Sequence, residues 1–95
     1  MQIGRIVGTV VSTEKDDKLE GLKFLLVKYV DANGAPTGGM VVAVDSVGAG
    51  TGEIVLVASG SSARLTHITD GKPVDAIIMA IVDQLEIEGE TIYTK

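Results

Sequence analysis

Apolar and polar residues alternate along this chain in short runs punctuated by glycine, the period-two pattern of strands rather than the 3.6-residue period of helices. Residues 2–13 form a first predicted strand, in which Gly4 and Gly8 mark places where the strand bends or another backbone comes close. "EKDDKLEG" then reads as a charged turn or loop. A second strand, "LKFLLVKYV" at 22–30, runs into "DANGAPTGG", where the Asn33-Gly34 pair supplies the positive φ angles of a tight hairpin turn, and "MVVAVDSV" at 40–47 is the return strand. After a glycine-rich stretch, "EIVLVAS" at 53–59 is a further strand, and residues 60–73 are irregular with room for one short helical turn at "SSARLT". The last long segment is "DAIIMAIVDQLEIE", followed by Gly89 and a short tail, "ETIYTK". Five or six strands at short intervals predict an all-β fold, a small closed or nearly closed β-barrel. The chain reads as one domain, 1–95, without linker or repeat.

The last strand carries a further detail. From Ala76 to Val82 both alternating faces are apolar, whereas from Gln84 onward Gln84, Glu86 and Glu88 share one face and Leu85 and Ile87 the other. The first half is therefore covered on both sides, its second cover being either the irregular 60–73 segment or a neighbouring subunit.

A domain of 95 residues buries only about 60 to 65 % of its unfolded surface, and 45% hydrophobic residues is a large load for it. With one Phe, two Tyr and no Trp, that load is aliphatic and suits strands packed on both faces. Excess apolar surface is hidden against copies of the same chain, so an oligomer is expected. The longest apolar run, "AIIMAIV", is far short of the roughly 20 residues of a membrane span, and the opening residues do not follow the basic, apolar, small-residue order of a signal peptide. A soluble intracellular protein with no membrane partner is expected. The absence of cysteine excludes disulfides and thiolate metal sites.

The stretch "DSVGAGTGEIVLVASGSSAR" raises the question of a phosphate cradle. A dinucleotide fingerprint needs G-x-G-x-x-G at the start of a helix, whose amides and dipole hold the pyrophosphate. Here the spacing is G-x-G-x-G, a strand pattern follows, and Glu53 stands where an incoming phosphate would be repelled. "GSSAR" lacks the lysine and the spacing of a P-loop. The stretch reads as a strand-to-strand turn that needs positive φ or close backbone contact, and no cofactor is expected.

Other chemistry is sparse. His67 is the only histidine, so any metal site would rest on carboxylates with at most one imidazole; a solvated loop residue is expected. Ser59, Ser61 and Ser62 near it read as turn-forming or capping serines, because nucleophilic catalysis needs a base oriented by a third group. Asp16 and Asp17, flanked by Lys15 and Lys18, fit a solvated loop. Asp83 shares strand parity with Ile81, Leu85 and Ile87, which would set its carboxylate against the core, and an unpaired charge there costs several kcal/mol. Arg64 lies in the segment expected to cover this strand, so a structural ion pair of Arg64 with Asp83, or with Asp75 of the same parity, is predicted.

The glycine stretch, together with "KPVDAIIMAIVD" downstream and the opening "IGRIVGTVVST", resembles the EutN/CcmL-type vertex proteins of bacterial microcompartment shells, from Met1 to about Asp83. The resemblance implies an OB-like β-barrel assembled into a homopentamer that closes the five-fold corners of a polyhedral protein shell, beside hexameric shell proteins, in the bacterial cytoplasm. It also implies that the loop of Gly48, Ala49, Gly50, Thr51 and Gly52 lies at or near the subunit contacts or the assembly's axis, where glycine lets backbones approach. The main rival is an OB-like binding module for single-stranded nucleic acid or oligosaccharide. A net charge of −5 and only Phe24, Tyr29 and Tyr93 as stacking side chains speak against nucleic acid, and no acid, base and nucleophile set speaks for an enzyme.

Overall fold

The computed structural model describes all residues, 1–95. Five strands, β1 (Gln2–Val10), β2 (Phe24–Val30), β3 (Pro36–Asp45), β4 (Ile54–Ser59) and β5 (Ala76–Ile81), form a closed barrel in the order β1-β2-β3-β5-β4. All neighbours are antiparallel except β3 and β5, whose parallel seam is only two residue pairs long, Val44 with Ile77 and Asp45 with Ile78. This is an OB-like all-β barrel. Two further strands, β6 (Gln84–Ile87) and β7 (Glu90–Thr94), pair as a separate hairpin. The helical pieces are single 3-10 turns at Asp17–Leu19 and Gly60–Arg64, and no helix is long and apolar enough to cross a membrane.

Alternation decides what fills the barrel. Ile6, Leu25, Val27, Ala43, Val55, Val57, Ala76 and Ile78 point inward into one cluster, closed by Ala49. At Gly4 a β-carbon would collide with Val27 Cγ1 and lie 3.3 Å from the Lys28 carbonyl oxygen, so glycine stands where two strands come too close for a side chain. The β1–β2 register slips between Ile6 and Gly8, which bends β1 there.

Two aliphatic layers cover parts of the barrel's outside. One joins Val44, Ala58 and Ile77 to Ala63 and Val74 of the 60–75 segment, with Leu19, Leu22 and Phe24 beside them. The chain's own irregular segment is thus the second cover of the first half of β5. Buried Thr69 pins it, donating its hydroxyl to the Ala63 carbonyl at 2.6 Å. The other layer joins Val30, Ile54 and Val82 to Ile3, Leu56, and Leu85 and Tyr93 of the β6–β7 hairpin.

Three local expectations are corrected. The segment after 75 is not one strand: Val82 N–H turns back to the Ile54 carbonyl at 2.8 Å, and the chain folds over as a hairpin that covers Ile54 and Leu56. The β2–β3 turn takes positive φ at Gly34 alone, and is built by Asp31, whose Oδ1 accepts the amides of Asn33 at 2.9 Å and Ala35 at 3.0 Å. The return strand starts at Pro36 rather than Met40, because Gly38 and Gly39 form a bulge opposite Tyr29 instead of ending the strand.

Candidate assembly surface

Strand β3 ends at Asp45, and the glycine loop folds around that carboxylate. Its Oδ1 accepts the amides of Val47, Gly48 and Ala49 at 3.1, 3.1 and 3.2 Å, and its Oδ2 lies 3.8 Å from Lys23 Nζ. The Asp45 side chain is only 3% exposed. Converging amides make an anion-binding concavity, and here the anion is the chain's own. The next amide, of Gly50, donates to Glu53 Oε1 at 2.6 Å. Both sets of amides that a phosphate cradle would use face the chain's own carboxylates. Gly48 and Gly52 sit at φ +76° and +90°, where side chains are strained, whereas Gly50 has no such constraint. Ala49 is buried in the interior cluster, which anchors the loop and leaves Gly48, Gly50, Thr51 and Gly52 exposed.

Glu53 also ties the loop to the hairpin. Its Oε2 lies 2.7 Å from Lys95 Nζ, and Lys95 N–H donates to the Asp83 carbonyl at 2.9 Å. The Lys95 ammonium, then the Gly50 amide, hold the Glu53 carboxyl below its ordinary pKa, and the same hydrogen bond raises that of Lys95.

The predicted pair of Arg64 with Asp83 does not form within the chain. The two ion pairs are Lys23–Asp45 and Lys95–Glu53, and the Arg64 guanidinium donates instead to the Val74 carbonyl at 3.2 Å. Asp83 and Asp75 are both exposed. The break after Ile81 removes the strand parity that would have buried Asp83, and with it the need for a partner.

The other candidates have structural surroundings. Ser62 Oγ donates to the Ser59 carbonyl at 2.8 Å, a turn bond, and Asp16 accepts the Lys18 amide at 2.9 Å to cap the first 3-10 turn. His67 is exposed, and no three His, Asp or Glu side chains are grouped to hold a metal ion. Phe24, Tyr29 and Tyr93 each pack against a different aliphatic cluster, so they make no common stacking platform.

One face of the barrel is left bare. Because Leu25 and Val27 point inward, Phe24, Leu26 and Lys28 point outward, and cross-strand pairing sets them beside Val44, Val42 and Met40 on β3 and Val10, Gly8 and Arg5 on β1. Val42 is 45% and Met40 57% exposed, Leu26 is half-buried, and none of the three belongs to an aliphatic cluster. Sequence reading anticipated excess apolar surface but not its place, which needs the register. It missed Asp45 as the loop's organiser, although an Asp followed by turn residues is the signal of such a cap.

Residues 1–83 match the family model described as ethanolamine utilisation protein EutN/carboxysome. The chain is 43% identical over 95 residues to the carboxysome shell vertex protein CcmL of Gloeobacter violaceus, covering 100% of this chain and 95% of that one. The solved structure of CcmL from a Nostoc species superposes with a TM-score of 0.95 at 47% identity, covering 100% of both chains. A pentameric microcompartment shell protein, GrpN of Rhodospirillum rubrum, superposes with a TM-score of 0.82 at 45% identity, over 92% of this chain and 99% of that one.

Proposed function

The chain belongs to the EutN/CcmL family of shell vertex proteins, and from that premise we propose that it is a structural subunit whose homopentamers close the five-fold corners of a bacterial microcompartment shell in the cytoplasm. The observation that carries the number five is the likeness to the pentameric Rhodospirillum protein over nearly the whole chain. Five identical head-to-tail contacts complete a ring, so one chain presents two different surfaces to its two neighbours. The exposed backbone at Gly48, Gly50, Thr51 and Gly52 lies at or near those contacts, where the absence of side chains permits close approach. Hexameric shell proteins flank the ring. The subunit is not an enzyme, and its acidic surface offers single strands no release of condensed counterions.

Native mass spectrometry of the wild type tests the reading, with a pentamer as the expected species at micromolar concentration. A stable monomer or dimer would overturn it. Gly50→Leu adds bulk at an exposed position without a positive-φ penalty and is expected to weaken the ring while leaving the chain folded. An unperturbed ring would remove the loop from the contact. Fluorescence anisotropy with labelled single strands should show no binding at physiological salt; micromolar binding that weakens with salt would favour the OB-like binding module.

A further inference from the structure

The bare outer face of β1–β3 carries a second irregularity. Arg5 and Lys28 are direct cross-strand partners, but the half-buried Arg5 lies against the Gly34 turn and the β6–β7 hairpin, which leaves the exposed Lys28 ammonium as the cation of the bare face. Neither takes part in the chain's two ion pairs. Asp31, which lines the same small cavity as Arg5, has its Oδ1 committed to the amides of Asn33 and Ala35. The chain has thirteen carboxylates and only eight lysines and arginines, so Arg5 and Lys28, cross-strand neighbours outside both ion pairs, run against its net charge, and of the two Lys28 is the exposed one. Next to them lie Leu26, Met40 and Val42, the apolar stretch that no segment of the chain covers.

We infer that the outer face formed by Leu26, Lys28, Met40 and Val42 is one of the two subunit-contact surfaces, and that its occupant is an acidic, partly apolar surface of a second copy of this chain. Charge complementarity selects that occupant. An apolar patch bearing the exposed, unpaired Lys28 ammonium fits a partner surface that is apolar and carries carboxylates, and the remainder of an identical, net acidic chain is such a surface. A head-to-tail contact joins unlike patches, so the basic face of one copy meets an acidic face of the next, whereas a two-fold contact would set that ammonium against its own copy. The inference rests on the pentamer reading and adds to it which face is buried and which charges oppose it.

Val42→Glu places a carboxylate at the centre of this face without touching the barrel interior. Native mass spectrometry of the full chain should show loss of the pentamer at micromolar concentration with an unchanged circular dichroism spectrum. Lys28→Glu should raise the concentration of half-dissociation at least tenfold in low salt, and less so as salt screens the contact. Hydroxyl-radical oxidation of the wild type gives a readout independent of any variant: Met40 should be protected in the ring and should react faster once dilution has dissociated it. Intact pentamers in both variants, with Met40 as reactive in the ring as in the separated chain, would overturn the inference and leave the pentamer standing. If Val42→Glu breaks the ring and Lys28→Glu does not, the acidic partner is wrong. A monomeric wild type would remove the pentamer and the inference together.

Discussion

Around one barrel, Ile54, Leu56, Ala58 and Ile77 of β4 and β5 lie under the chain's own segments, while Leu26, Met40 and Val42 of β2 and β3 lie under nothing. Side-chain chemistry does not separate the two sides, since Ile54, Leu56 and Ile77 on the first are matched by Leu26, Met40 and Val42 on the second. Connection length does. The 60–75 segment returns from β4 across Ala58 and Ile77, and the chain after β5 returns as a hairpin across Ile54 and Leu56. Between β2 and β3 there is only the tight turn built on Asp31, which has no residues to spare for a cover. Leu26, Met40 and Val42 therefore stay uncovered beside the shortest link, and a neighbouring chain is the cover still available there.

The sharpest test of this contrast is a pair of truncations. Ile77 is fully buried beneath the 60–75 segment, so Ile77→Ala should lower the unfolding free energy by about 2–4 kcal/mol at any protein concentration. Val42→Ala should lie within about 0.5 kcal/mol of the wild type for the dissociated chain, its loss appearing only in the concentration-dependent part of the transition. Urea denaturation at two concentrations a hundredfold apart separates these. Equal losses for the dissociated chains would erase the distinction between the two sides.

A smaller contrast runs between two glycines of β1. Gly4→Ala drives a β-carbon into Val27 inside the barrel and should cost about 1–3 kcal/mol. At Gly8 the same atom would meet Leu26 Cδ1 at 3.6 Å on the bare face, an ordinary contact, and the dissociated chain should tolerate it within about 0.5 kcal/mol. Smaller again is the pin of the covered side. Thr69→Val keeps the shape but orphans the Ala63 carbonyl, for a loss of about 1–2 kcal/mol with faster amide exchange across 60–74.

Much of this was legible in the sequence because it depends on neighbours along the chain. Period-two runs gave the five barrel strands, and the G-x-G-x-G spacing ahead of a strand pattern gave the turn between two strands. What escaped depends on partners distant in sequence. Nothing in "IVDQL" announces that the strand stops at Ile81, since both flanks favour strands; the break follows from the apolar surface of Ile54 and Leu56 that the hairpin covers. Glu88 and Gly89 were the available clue, a two-residue turn before the β-branched run "TIYT". The bare face was hidden for the same reason: Arg5 and Lys28 become neighbours only through the β1–β2 register.

The weakest device on the covered side is the Glu53–Lys95 pair, and its pH dependence asks whether the hairpin stays down through charge or through Leu85 and Tyr93. Glu53 has a lowered pKa, held there by the Lys95 ammonium and the Gly50 amide, so its contribution is complete above the ordinary glutamate range and is lost as pH falls through the lowered value. Lys95 has a raised pKa, so its contribution is complete below the ordinary lysine range and is lost as pH rises through the raised value. Hydrogen exchange of residues 84–94, corrected for intrinsic rates, should therefore be slowest between those limits and quicken modestly at the acid end. Glu53→Gln should flatten that acid dependence, and added salt should shrink it, since both partners are partly exposed. The hairpin should nevertheless remain protected in Lys95→Met, because the aliphatic layer beneath it is unchanged. Complete loss of protection in that variant would mean that charge, and not burial, keeps this side of the barrel covered.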